Sequence, residues 1–170
     1  MPSFLLAIVV CASLAVPAGA QSSSTVPWKC TGRDSGAQLQ PSYGGIANPA
    51  YPDALSLFLT LKDRGIEVSC VARSTMDHFA TGQVGAAIFR TDKGSFQALF
   101  FATRQQVQDV RFAEHHQGDW YTHVVSTAAP SMTRTWNSHW PEHYVRHENV
   151  LLMTIKNEDL AKLLQNTLEP

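Results

Sequence analysis

The sequence predicts an α+β domain, a mainly antiparallel meander sheet with an N-terminal helix at about 52–64 and a C-terminal helix at about 158–168 packed on it. Three observations lead there. Apolar residues recur at helical spacing near both ends of the region from 51 to 170. Between these ends the apolar positions alternate with a period of two. Short Gly-containing breaks separate the alternating runs, and hairpin-length connections make neighbouring strands antiparallel.

Residues 1–20 read as a cleaved secretory leader. An apolar run from Phe4 to Val16 is followed by Ala18-Gly19-Ala20, which places small side chains beside a cut before Gln21. The run is too short for a comfortable membrane span, and its first section has no Lys or Arg, so only the α-amino group is positive there. The expected location is secreted or periplasmic. Val9 and Val10 precede Cys11 where a lipoprotein signal needs a small residue. No lipid anchor is expected, and no membrane association after cleavage.

Cleavage leaves about 150 residues, the size of one domain. The 13 Lys and Arg against 14 Asp and Glu give a formal charge of −1, which argues against nucleic acid as a partner because phosphate binding needs a basic face. Of three cysteines, Cys30 and Cys70 remain after cleavage, and an oxidising compartment predicts that they pair. Residues 21–50, rich in Ser, Gly, Pro and Gln, predict an irregular arm stapled by Cys30 to a single domain over 51–170.

Pro52 and Asp53 open the first helix, with Ala54, Leu57, Phe58 and Leu61 on one stripe and Gly65 past its end. A strand follows, with Ile66, Val68, Cys70 and Ala72 expected to point inward. Strands at Val84 to Thr91 and Ser95 to Phe101 flank Asp92-Lys93-Gly94, and the apolar run Ala98-Leu99-Phe100-Phe101 suits a strand covered on both faces. A hairpin is expected from Val107–His115 and Trp120–Thr127 around His116-Gln117-Gly118-Asp119, with a helical turn near Gln105 as an alternative start. Ser, Thr and Pro mark Thr127 to Pro141 as a surface loop. His143–His147 and Val150–Ile155 form strands turning at Glu148-Asn149, and Asn157 caps a last helix with Leu160, Leu163, Leu164 and Leu168.

All seven histidines fall between His78 and His147, which directs the search for chemistry to the second half. His139-Trp140-Pro141-Glu142-His143 has the H-x-x-E-H form of one class of zinc peptidase, but Pro141 cannot occupy the helical turn that motif requires. On a strand His143 and His147 share a face with Val145, too far apart for one ion at about 3.3 Å per residue, so no metal site is expected. The chain has no G-x-G-x-x-G, phosphate loop or C-x-x-C-H, which leaves no cofactor to expect. Glu114, His115 and Asp119 could supply an acid–base pair, but their composition favours a solvated hairpin end, so no catalytic role follows from them.

These observations favour a binding or interaction module over an enzyme. The contact surface expected is the loop from Thr127 to Pro141, with Trp136 and Trp140 as its aromatic contacts to a protein or carbohydrate partner. The alternative is a histidine- or metal-dependent hydrolase built from His115, His139, Glu142 and His143, which requires those groups to converge in a cleft. A third possibility is a structural component of the cell envelope, marked by an exposed apolar patch or an unpaired sheet edge.

Overall fold

The computed structural model describes residues 30, 49–74, 76, 79–127 and 132–169. The expected leader at 1–20 and almost all of the expected arm at 21–50 lie outside the described residues. The first helix, α1 (Ala54–Asp63), begins at Asp53, whose carboxylate accepts the Ser56 N–H at 2.8 Å while Ser56 Oγ reaches back to the Asp53 N–H. That reciprocal cap satisfies two donors that a helix end otherwise leaves open.

The chain then enters β1 (Val68–Arg73). A bulge between Val68 and Cys70 shifts the alternation, so Val71 takes the buried position facing α1 and Cys70 is only half-buried, where the sequence pattern had Cys70 pointing inward. Cys70 is bonded to Cys30, and the Cys30 N–H donates to the Val71 carbonyl at 3.0 Å. The disulfide therefore ties Cys30 to this edge of the sheet.

β2 (Gln83–Thr91) and β3 (Gly94–Phe101) form the expected hairpin. Gly94 sits at φ 132, and a Cβ there would meet Asn157 Nδ2 at 2.6 Å, so glycine lets the turn close against the cap of the last helix. A six-residue helix, α2 (Arg104–Asp109), follows with a capping box between Thr103 and Gln106. Hence only β4 (Arg111–Gln117) remains of the strand expected from Val107. β5 (Trp120–Thr127) pairs with β4 through a two-residue loop in which Gly118 adopts φ 60. The segment read as a loop contains another strand, β6 (Met132–Ser138), paired with β5 along its whole length. Its threonines alternate with larger residues, and β-branched side chains suit a pleated surface.

β7 (Glu142–His147) and β8 (Val150–Ile155) turn at Glu148-Asn149, and α3 (Glu158–Leu168) starts at Asn157, whose side chain accepts the Leu160 N–H at 2.9 Å. Two antiparallel sheets result: five strands in the order β1-β2-β3-β8-β7, and three in the order β4-β5-β6. α1 and α3 cover one face of the larger sheet, with Leu57, Leu61, Leu160 and Leu164 meeting Val71, Phe89, Phe96 and Leu152. On the other face Leu99, Phe101, Leu151 and Met153 pack against Val107, Val110 and Val125, with Trp136 and Phe112 alongside. This α+β protein thus has three layers: helices, five-stranded sheet, and three-stranded sheet with α2. Central strand β3 is buried on both sides from Ala98 to Phe101, as its unbroken apolar run requires. No helix among the described residues is long and apolar enough to cross a membrane.

Candidate functional site

Opposite residues in an antiparallel pair share a face, so the β4–β5–β6 register sorts this sheet into two surfaces. The inner surface carries Phe112, Glu114, His123, Val125, Trp136 and Ser138 toward the larger sheet. On β7 the residues facing back are Glu142, Tyr144 and Arg146, because Val145 alternates to the helix side. Two polar sets therefore meet between the sheets at one end of the second core.

His123 is the centre of that meeting and is 1% exposed. Its Nδ1 lies 3.1 Å from Glu114 Oε2 and 4.0 Å from Glu142 Oε2. Its Nε2 lies 3.0 Å from Ser138 Oγ and 3.1 Å from the Trp140 carbonyl oxygen. Each oxygen of Glu142 accepts a hydrogen bond: Trp136 Nε1 donates to Oε1 at 2.9 Å and the Tyr144 hydroxyl to Oε2 at 2.7 Å. Burial raises the Tyr144 pKa well above the ordinary tyrosine value, and donation to Glu142 and the charges of Glu142 and Glu114 raise it further. Ser138 Oγ donates to the Trp140 carbonyl at 2.5 Å and accepts the Trp140 N–H at 3.1 Å, which closes the turn between β6 and β7.

The residues singled out from sequence are dispersed. His115 is on the outer surface of β4, opposite Thr122. His139 is exposed, its ring 3.7 Å from that of Trp120 and its Nδ1 3.1 Å from the Asp119 carbonyl. Glu142 is buried between the sheets, and His143 faces the opposite side of β7, toward α3. These four do not converge in one cleft, and His123 takes the central position instead. Trp136 and Trp140 also separate. Trp136 packs edge-on against Phe79 and stacks on His123, whereas Trp140 is 46% exposed with Lys156 Nζ 3.5 Å above its ring. Among the described residues no group of three or more His, Cys, Asp or Glu is placed to hold a metal ion.

The outer surface of the same sheet was not anticipated from composition. It presents Gln117, Trp120, Thr122, Thr133, Thr135 and Asn137, none of them buried, with Trp120 49% exposed at the end nearest the Gly118-Asp119 loop. Thr122 Oγ1 donates to Asn137 Oδ1 at 2.9 Å, and His139 buttresses the Trp120 ring. Among the described residues the only charged side chain on this surface is Arg111, at the far end of β4. No known family model, curated protein or solved structure matches this chain.

Proposed function

We propose that this protein is an exported carbohydrate-binding domain that grips neutral sugars on the outer surface of β4–β5–β6. The observation that carries this reading is Trp120, a large exposed ring braced by His139 at the head of a strand surface rich in hydroxyl and amide side chains, with Arg111 at its far end. A sugar ring has an apolar face to set on an indole and hydroxyls that exchange hydrogen bonds with Thr, Asn and Gln. A charged ligand would find no partner over most of this surface. Export is supported by the leader-like residues 1–20 and by the Cys30–Cys70 bond. Screening the folded protein on an array of neutral glycans tests the reading, with Trp120→Ala as the control that must lose the signal.

A second reading, ester hydrolysis, rests on the Ser138–His123–Glu114 distances of 3.0 and 3.1 Å, which match a nucleophile, base and orienting carboxylate. There Ser138 Oγ would attack the ester carbonyl while His123 Nε2 takes its proton and returns it to the leaving alcohol. A water deprotonated by the same nitrogen would then cleave the acyl-serine, releasing the acid and restoring the Ser138 hydroxyl. It ranks second because the Ser138 hydroxyl is engaged by both the N–H and the carbonyl of Trp140. Turnover of p-nitrophenyl acetate that Ser138→Ala abolishes would establish this reading over the first.

A further inference from the structure

Arg111 and Arg146 both direct a guanidinium group to one oxygen, the Val110 carbonyl, at 3.3 and 2.9 Å. Arg111 also donates to the Gln108 carbonyl. Among the described residues neither has a carboxylate partner, and Arg146 Nε is buried with no hydrogen-bond partner at all. Like charges held together without a counterion are unfavourable, and a buried N–H left unpaired costs more than an ordinary hydrogen bond contributes.

These two side chains border a cleft of about 530 Å³ along the free edge of β7, between α3 and the start of β4. The acidic groups beside it are already engaged. Glu142 accepts from Trp136 and Tyr144, and Glu158 is paired with Lys162 at 2.8 Å. One wall is apolar, formed by Phe112 and Tyr144 stacked 3.6 Å apart, and the Arg146 guanidinium lies 5.4 Å from the centre of the Phe112 ring. Burial, and after it the Arg111 charge, lowers the Arg146 pKa from its ordinary value, the direction expected of a cation lacking its counterion.

We infer that this cleft is a binding site for a small organic oxyanion, a carboxylate or phosphate monoester, held by the Arg111 and Arg146 guanidinium groups. Guanidinium forks match the geometry of both anions, and the volume falls in the range of small-molecule clefts. The Phe112–Tyr144 stack would face the apolar body of the ligand. This site is at the Arg111 end of β4, the opposite end of the smaller sheet from Trp120, on which the proposed sugar surface is centred.

The test is a nuclear magnetic resonance titration of the full folded chain that follows the arginine Nε–H signals, with benzoate and inorganic phosphate as probes and sodium chloride at equal ionic strength as control. A saturable shift of the Arg146 signal is expected, weakened about tenfold in Arg111→Gln, with the melting temperature of the variant measured alongside to separate lost binding from lost folding. Response to benzoate alone identifies a carboxylate ligand with an apolar body, and response to phosphate alone identifies a phosphate ligand. Should neither probe do more than chloride, or Arg111→Gln respond as the native chain does, the site does not exist.

Discussion

Glu114 and His123 stand directly opposite each other across the β4–β5 hairpin, with Glu114 Oε2 3.1 Å from His123 Nδ1. The hairpin loop sets this contact. Because Gly118 and Asp119 alone make the loop, Gln117 faces Trp120 and each pair inward follows, down to Glu114 and His123. The contact then joins Glu142 and Tyr144 on the larger sheet, so a loop of two residues determines how the two sheets are bridged.

Removing the buried partner should cost far more than removing the exposed one. His123→Ala takes a ring from between Trp136 and Tyr121 and is expected to destabilise the fold by about 3 kcal/mol. Glu114→Gln, at a carboxylate that water still reaches, should cost about 1 kcal/mol or less. Urea unfolding of the two variants measures the difference directly.

Asn149 holds the segment before α1 to the core. Its Nδ2 donates to the carbonyls of Tyr51 and Phe101 at 2.9 and 3.0 Å, and its Oδ1 accepts the Tyr51 N–H at 2.7 Å, all in a buried setting. Asn149→Ala is expected to lose about 3 kcal/mol, since it strips three backbone groups of their partner. The midpoint of chemical denaturation should fall with little change in slope.

Stability should decline at both ends of the pH range for identifiable reasons. Burial lowers the His147 pKa below its ordinary 6.5, so the unfolded chain binds a proton that the folded one refuses. That contribution is intact above about pH 6.5 and is lost progressively as the pH falls from there through the lower value of the folded state. Melting temperature between about pH 7.5 and 5 should therefore fall more steeply for the native protein than for His147→Gln. At the alkaline end Tyr144 keeps its proton while an unfolded tyrosine releases one near pH 10, so stability falls as the pH rises past that point. Absorbance titration should show the same phenolate signal for native and Tyr144→Phe protein until unfolding sets in.

The Cys30–Cys70 bond closes a separation of 40 residues. In the chain-entropy model a loop of that length contributes about 4 kcal/mol, so a reducing agent should lower the melting temperature by about 10 °C. Intact mass should rise by two hydrogens on reduction.

Both terminal helices were legible because their caps and apolar stripes are local, as in Asp53 with Leu57 and Leu61, or Asn157 with Leu160 and Leu164. The same holds for the β2–β3 and β7–β8 hairpins, whose turns are short and marked. β6 is hidden in the sequence because threonine and serine suit a loop as well as a strand, although Met132, Arg134, Trp136 and Ser138 alternate with Thr133, Thr135 and Asn137. α2 is too short for a helical stripe, but Thr103 with Gln106 was a readable cap. His123 needed the hairpin register. A four-residue loop would set His115 opposite Trp120, moving every pairing by two and separating Glu114 from His123. The outer surface around Trp120 depends on that register and on β6 together, so it emerges only when the second sheet is assembled.

The three tryptophans of this region should divide by role. Trp136→Ala removes a ring packed on Phe79 and His123 and a donor to Glu142, and is expected to cost about 3 kcal/mol of stability. Trp120→Ala and Trp140→Ala, at exposed rings, should shift stability by about 0.5 kcal/mol or less.

The most direct measurement is a chemical-shift titration of the native chain and Trp120→Ala with neutral oligosaccharides, namely cellohexaose, chitohexaose and maltohexaose. Saturable shifts are expected at Trp120, Thr122, Thr135 and Asn137 for at least one of these sugars, with affinity reduced about tenfold or more in Trp120→Ala. Shifts that map elsewhere, persist unchanged in Trp120→Ala, or fail to occur with any of the three would contradict sugar binding on this surface.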